Sequence, residues 1–513
     1  MRAAVRISLM LIVLLMIMLA GASGASSALS DAGAMEQKTN VSSENQSFSA
    51  LDRVPQFLEE LKTAGFSMHE GKIEYIDLVK QCCEGLLADT LANNPWPNAY
   101  LTLKNMTPES YPKLSYPPWI WQLGEDEAIV LVGQTPPPVA YFSYQTFMVS
   151  PPYDGNATPP PFPGIEPRMG IALGDTVNIA TINTTNAEPF NSPIIYIITG
   201  NLEAERRVRA AALAAGYPDS IINVEAISPV IAPLGLGPSG SAFYLAQRNA
   251  MPINQSALED YIKYPAYRVF RVTPNAHLAA NPEPVPVLRV RGTGRTEMDL
   301  YPALKRLRKA ILKEYTGAHK ELDTHVWWLP EREIMLEKPY VGLQRGQFMM
   351  GGTRDTNYLA TYPNFKLRNG TDEFVIVYGV NHQKTGKATY ASFSLYADKD
   401  KWFGVGTTLS NQFNGSAQKY LGPDDPDADK LYAFKVARNC KGEAYCMEPS
   451  GPESFTDPWG VPYSCPDLNM DEDEMFLIFR NYMEPETNVS PDDNELVYDQ
   501  AIYFGPYFET SAS

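Results

Sequence analysis

Apolar and polar positions along this chain fall into two textures, and the change between them sets the expected elements. Before residue 95 the spacing is helical. Pro55 in a first turn and Gly65 just past the end frame a helix from Pro55 to Ala64. A second stripe, Ile73, Ile76, Val79, Cys83, Leu86 and Leu87, predicts a helix from Ile73 to Asn93 that Pro95 and Pro97 stop.

From Ala128 the chain breaks into short runs rich in β-branched and aromatic residues and punctuated by Gly and Pro. Strands are expected at 128–132, 139–148, 177–182, 194–199, 221–227, 267–272 and 287–290. A helix from Leu202 to Ala215, with Asn201 as N-cap and Gly216 past its end, separates two of them and suggests a βαβ crossover. Another helix is expected over 297–315, with Tyr301, Leu304, Ile311 and Tyr315 on one stripe. Further strands are expected at 373–380, 388–396, 403–409, 431–438 and 475–479, the first two joined as a hairpin through Lys384-Thr385-Gly386-Lys387. No repeat at a fixed period is visible.

These elements predict an α+β protein: a β-rich mixed domain with a helical N-terminal cap, followed by a second antiparallel β-sandwich-like domain. The expected boundaries are a cap over 51–94, an α+β domain over 95–296, a helix and linker over 297–366, and a β-rich domain over 367–513.

The N-terminal stretch changes the picture of where the chain works. Arg2 and Arg6 precede an apolar run from Ile7 to Ala20 and then small residues, the pattern of a signal peptide over 1–25. The run is short for a bilayer span, so no integral membrane anchor is expected after cleavage. Residues 26–50, rich in Ser, Ala and Asn, read as a flexible leader. Glycan-acceptor sequons begin at Asn40, Asn45, Asn105, Asn156, Asn183, Asn254, Asn369, Asn414 and Asn488, which fits a secreted or cell-surface glycoprotein. In an oxidising compartment one disulfide is expected among Cys440, Cys446 and Cys465. Cys83, on the apolar stripe of the predicted helix, reads as a buried apolar residue.

Composition narrows the function classes. The 513 residues carry 42 Lys and Arg against 59 Asp and Glu, a net charge of -17, which argues against a general nucleic-acid binder. A charged fraction of 20% with 11% aromatics belongs to a folded chain. The opposite sign gathers in one window, Arg289, Arg291, Arg295, Lys305, Arg306, Arg308, Lys309 and Lys313, which could dock on an acidic surface of this chain or on an anionic ligand.

Candidate chemistry is sparse. Gly235-x-Gly237-x-x-Gly240 lacks the Lys-Ser/Thr of a phosphate loop and reads as a tight turn before a helix over 241–249. His382, at the end of a strand, is the one general acid/base candidate. Asp425, Asp427 and Asp429 place oxygens at alternate positions, a weak calcium pattern without the Gly and Glu of a standard loop; no other cofactor is expected. The reading that follows is a secreted or cell-surface glycoprotein with a binding or surface-structural role toward an extracellular glycan or protein. The alternative is an extracellular hydrolase or lyase acting on a glycan or other polymer.

Overall fold

The computed structural model describes residues 49–87, 89–90, 93–112, 116–152, 170–326, 351–397 and 400–506. The expected signal peptide, most of the leader, and the sequons at Asn40, Asn45 and Asn156 lie outside them. The protein is mostly β-sheet, built as two large curled sheets with a few helices, and the described residues all belong to one compact unit. No helix among them is long and apolar enough to cross a membrane.

Helix α1 (Val54–Thr63) buries Val54, Phe57 and Leu61, and Gly65, at φ +87°, turns the chain into strand β1 (Phe66–Ile76). The expected helix over 73–93 is not formed. Ile73 and Ile76 end β1, and only α2 (Leu78–Cys83) is helical, capped by Asp77, whose Oδ1 accepts from the Lys80 N–H at 3.0 Å. The stripe was ambiguous, and pairing of β1 on both edges overrode the helical spacing. Then come β2 (Ala99–Lys104), β3 (Ala128–Gln134), β4 (Val139–Ser150), β5 (Ile171–Ala172), β6 (Val177–Asn178) and β7 (Pro193–Thr199). Helix α3 (Leu202–Ala214), β8 (Ile222–Ala226), β9 (Ala242–Pro252), α4 (Gln255–Lys263) and β10 (Tyr267–Pro274) complete the first half. Residues 242–249 therefore lie in β9 and not in a helix. Residues 287–290 pair with no strand: the Arg289 N–H goes to the Asp175 carboxylate, and Val287 and Val290 face solvent.

The first sheet runs β5-β4-β9-β2-β1-β10-β3-β7-β8, with β6 also on β4; β7 and β8 are parallel across α3, and every other pair is antiparallel. Its two ends are joined by a side chain. Glu225 on β8 accepts from the Thr146 N–H at 2.5 Å, Thr146 Oγ1 at 2.7 Å and Gln145 Nε2 at 3.2 Å, all on β4, and from the Tyr196 hydroxyl at 3.0 Å.

The second half begins with α5 (Tyr301–Glu314) and continues through β11 (His319–Val326), β12 (Thr356–Tyr362), β13 (Phe374–Val380), α6 (His382–Thr385), β14 (Tyr390–Ala397) and β15 (Phe403–Leu409). After α7 (Gln418–Leu421) come β16 (Leu431–Ala437), β17 (Cys446–Met447), the small hairpin β18 (Phe455–Thr456) and β19 (Pro462–Tyr463), then β20 (Met475–Tyr482) and β21 (Gln500–Phe504). The expected hairpin at 384–387 is a helical turn ended by Gly386 at φ +80°. The strands it joins are not neighbours, since β13 pairs with β16 and β21, and β14 with β15 and β20.

The second sheet runs β15-β14-β20-β12-β11-β21-β13-β16-β17. This is the order of the first sheet. Taken along the chain, β1, β2, β3, β4, β5, β7, β8, β9 and β10 correspond in turn to β11, β12, β13, β14, β15, β16, β17, β20 and β21. The parallel pair β7–β8 recurs as the parallel pair β16–β17. The two halves thus repeat one topology. The spacing between corresponding residues drifts with loop length, which is why no fixed period shows in the sequence.

The helix preceding each half packs on equivalent strands. Phe57 and Leu61 of α1 cover Val130 and Val132 of β3, while Leu304, Leu307 and Ile311 of α5 cover Ile376 and Val380 of β13. The largest core cluster is shared by the halves, joining Tyr100, Phe147 and Tyr244 to Phe393, Phe403 and Leu477. Replacing Glu225 with Ala strands three side-chain or backbone donors of one sheet edge in the interior. We expect a loss of about 3–4 kcal/mol, measured by equilibrium denaturation, with Glu225→Gln recovering part of it.

Candidate functional site

Aromatic and charged side chains gather at the surface where α2 meets the β18–β19 hairpin. Asp77 is fixed at the end of β1 by its capping role, and its Oδ2 accepts from the Tyr463 hydroxyl at 3.2 Å. Asp457-Pro458-Trp459-Gly460 forms the hairpin tip: Asp457 Oδ1 accepts from the N–H groups of Trp459 at 3.0 Å and Val461 at 2.9 Å, and Gly460 takes φ +76°. Glycine enters that region without strain, and the two bonds to Asp457 fix the backbone of the tip. Lys80 lies 3.9 Å from Asp457 Oδ2 and 5.7 Å from the Tyr463 ring centre.

Around these groups opens a groove of about 500 Å³, lined among others by Tyr75, Asp77, Lys80, Trp119, Asp457 and Trp459. A smaller cavity of about 150 Å³ adjoins it at Tyr75, Ile76 and Asp77 and is lined by Trp96, Phe455 and Tyr463. Trp459 stands edge-on to Tyr75 at 5.4 Å and keeps 38% of its surface in solvent. The Lys263 ammonium sits 5.9 Å from the Trp459 ring and 5.6 Å from that of Tyr264, which is 71% exposed. Burial pushes the Asp77 carboxyl up, against the hydrogen bonds from Lys80 N–H and Tyr463 that pull it down. Burial, then the nearby Asp77 charge, pushes the Tyr75 and Tyr463 hydroxyls well above the usual tyrosine range. The groove therefore offers flat aromatic faces, fixed acceptors and ammonium donors side by side.

A disulfide ties the hairpin down. Cys83 pairs with Cys465, and Cys440 with Cys446, while Cys82 stays outside both bridges. The expected bridge within the late cluster exists, but Cys465 leaves that cluster for Cys83. Cys83 is thus not a buried apolar residue; with the helix cut short at α2, its sulfur meets the strand return after β19.

The other sequence candidates lie elsewhere. His382 is 1% exposed and closed in by two carboxylates, Glu297 Oε2 at 2.8 Å from Nδ1 and Asp499 Oδ2 at 3.5 Å from Nε2; Thr385 also donates to Glu297. It is a core cation, removed from solvent and from the groove. Asp425 and Asp427 receive the Arg306 guanidinium at 3.2 and 2.9 Å, and Asp429 accepts from Gln418. Among the described residues no group of three or more His, Cys, Asp or Glu is placed to hold a metal ion. The basic window does not form one face. Arg308 pairs with Glu321, Arg295 with Glu486, and buried Arg291 donates to the Arg354 carbonyl at 2.8 Å. Lys305 covers the Tyr301 ring at 4.4 Å, and Lys309 and Lys313 point outward. Of the described sequons, Asn105, Asn183, Asn254, Asn369 and Asn414 are exposed and Asn488 is half-buried.

Sequence reasoning passed over Asp77, Asp457, Trp459 and Tyr463. The available signal was the Asp457-Pro458-Trp459-Gly460 turn, a tight turn with a Trp at its tip.

No family model matches the chain, and no curated protein does. A solved structure of an uncharacterised protein from Burkholderia cenocepacia aligns over 88% of each chain at 10% identity with a TM-score of 0.34.

Two outcomes follow from this geometry. The Cys83–Cys465 bridge closes a loop with a sequence separation of 382, against 6 for Cys440–Cys446. Cys465→Ala is therefore expected to cost about 3–4 kcal/mol more than Cys446→Ala in chemical denaturation. For His382, burial alone would push the imidazole down, but Glu297 and Asp499 outweigh it and hold the value up at about 10. Its contribution to stability is fully present below 6.5 and is lost as pH rises through about 10. Melting temperature should fall over that interval, and His382→Gln should flatten the fall.

Proposed function

We propose that this protein is an exported glycan-binding protein and that the groove at Trp459 is its sugar site. The observation that carries the reading is the pair of exposed rings, Trp459 and Tyr264, with the Lys263 ammonium between them at the lip of a groove containing Asp77, Lys80 and Asp457. A pyranose has apolar C–H faces and a rim of hydroxyls. Flat aromatic rings take the first, and fixed carboxylates and ammoniums take the second. Both carboxylates already accept structural hydrogen bonds, which suits oriented acceptors better than groups that must shuttle a proton. Export is supported by the basic-apolar-small N-terminal pattern and by two disulfides. Of the groups behind the hydrolase or lyase alternative, His382 with Arg438 and carboxylates still to be assigned, His382 is buried in the core.

The test is calorimetric titration of the folded protein with soluble hexasaccharides of β-glucan, β-mannan and chitin type. Binding of at least one is expected, weakened about tenfold by Trp459→Ala, or ~1.4 kcal/mol, the scale of one aromatic contact. Wild-type protein that binds none of them, or a Trp459→Ala variant that binds unchanged, overturns the reading.

A further inference from the structure

The two halves fill one equivalent gap differently. Trp121 bridges to Phe243 of β9, and Phe365 bridges to Met475 of β20. The second half reaches Phe365 from β12 through residues 363–364 alone, whereas the first half places residues 105–120 between β2 and Trp121. In the second half Pro363, Phe365 and Tyr503 leave a cavity of about 10 Å³ beside the bridge. In the first half the inserted stretch borders a groove of about 340 Å³. The groove has a closed, charge-balanced floor. Arg271 on β10 faces Ile129, as Tyr503 on β21 faces Val375, and it is fully buried. Its Nε donates to the Met106 carbonyl at 2.6 Å, its Nη1 to Glu127 at 2.5 Å and its Nη2 to the Gln122 carbonyl. Glu127 also accepts from the Tyr111 and Thr273 hydroxyls and from the Gly124 N–H. With these charges matched, the walls offer a ligand mostly ring surface: half-buried Tyr111 and Tyr116, with Pro108, Pro112, Pro117 and Pro118. Such walls suit an uncharged ring with apolar C–H faces.

A glycan-acceptor sequon stands at the lip. Asn105 and Thr107 of Asn105-Met106-Thr107 both line the groove. The backbone of Asn105 is held on two sides: its N–H donates to the Pro118 carbonyl at 3.0 Å, and its carbonyl accepts from His69 Nε2 at 2.9 Å. It takes φ +57°, in the left-handed region that asparagine enters more readily than most residues. Asn105 is exposed, and its side-chain amide makes no hydrogen bond with the described residues. The side-chain nitrogens of Asn183 and Asn414, by contrast, already donate to the Ile222 and Asn411 carbonyls at 3.2 and 3.1 Å. Asn369 lines a groove too, of about 630 Å³, but Lys435, Arg438, Lys441 and Glu443 line that one and favour water over a sugar face.

We propose that Asn105 carries an N-linked glycan whose innermost N-acetylhexosamine lies in this groove, its C–H face against Tyr111 and Tyr116. The bond forms between the Asn105 side-chain nitrogen and the anomeric carbon of the sugar. The bond that breaks joins that carbon to the pyrophosphate of a lipid-linked oligosaccharide donor; the pyrophosphate leaves with the electron pair, and one amide proton is lost from the nitrogen. The attached sugar fills in the first half the space that Phe365 and Tyr503 close in the second, and it shields tyrosine and proline surface from water. The inference shares with the reading above only the export of the chain, and not the groove at Trp459.

The experiment is production of the full chain, with its own N-terminus, in mammalian cells, followed by glycopeptide mapping of the secreted protein by mass spectrometry. Asn105 is expected to be occupied. A peptide-N-glycosidase acting on the folded protein should release this glycan about tenfold more slowly than those at the other occupied sequons, the protection that one ring contact supplies. The rates should become equal after unfolding. Tyr116→Ala should bring the Asn105 rate up to the others and leave occupancy unchanged. Proton spectra of the wild type should show upfield ring-current shifts for the C–H protons of the innermost sugar, a readout that serves if the variant fails to fold. An empty Asn105 beside occupied sequons overturns the proposal. So does unprotected release from the wild type, a Tyr116→Ala variant that keeps the slow release, or unshifted sugar protons. A chain retained in the cell without glycans overturns it together with export, while hexasaccharide binding at Trp459 is measured independently.

Discussion

The structure depends on a reciprocal exchange between its halves. Tyr141 on β4 sends its hydroxyl to Asp355, which leads into β12, at 2.9 Å. Tyr390, its counterpart on β14, meets Asn94 at 2.8 Å and donates to Asn98 at 3.1 Å, both leading into β2. Each half therefore places the same tyrosine on the same part of the other. This is the logic of a two-fold dimer interface, in which residue i meets j and j meets i, carried out within one chain. Tyr141 and Tyr390 also pack on Tyr482, and Met251 and Met483, which close the equivalent strand ends, both take left-handed φ values of 53° and 44°. A substitution at this seam acts on both sheets, because neither half has a complete core without the other.

Charge is organised around the same plan. The connection between the halves, 289–297, is held to the second half by carboxylates of both: Glu495 accepts from the Thr293 and Gly294 N–H groups, and Glu297 of the connection itself reaches His382 and accepts from the Val497 N–H. Gly292 is required there, at φ +77° and with Asp492 and Glu495 too close to admit a β-carbon. The acidic excess of the sequence is thus partly structural, spent on fixing the crossing from one half to the other. Part of the basic stretch is used inside the second half, where Arg306 is clamped on the acidic turn at Asp425 and Asp427.

Local rules made part of this legible. Helix α3 starts where Asn201 accepts from the Glu203 and Ala204 N–H groups and ends at Gly216, as its sequence implied, and β3, β7, β13 and β16 follow their β-branched runs. The failures share a cause, which is long-range pairing. Ile73, Ile76 and Val79 satisfy a helical stripe as well as a strand end, and only β2 and β10 on either side decide it. Residues 241–249 carry no helix because β4 and β2 flank them. Cys83 finds a partner 382 positions away, and His382 reads as an acid/base candidate because nothing local announces Glu297 and Asp499. The repeat itself was hidden because pairing order survives changes of sequence and loop length that erase any period.

The repeat also separates what holds the protein together from what is free to specialise. The equivalent tyrosines Tyr141 and Tyr390 face the seam between the halves. The groove proposed for glycans uses a feature of one half alone. Between β17 and β20 the chain inserts the β18–β19 hairpin, whereas the corresponding stretch between β8 and β9 is the Gly-rich turn bound by Gln122. That hairpin brings Asp457, Trp459 and Tyr463 onto α2 of the other half, and the Cys83–Cys465 bridge fixes it there. An insertion anchored in this way alters a surface without disturbing the strand order beneath it. It is where a duplicated scaffold can acquire a ligand without losing its core.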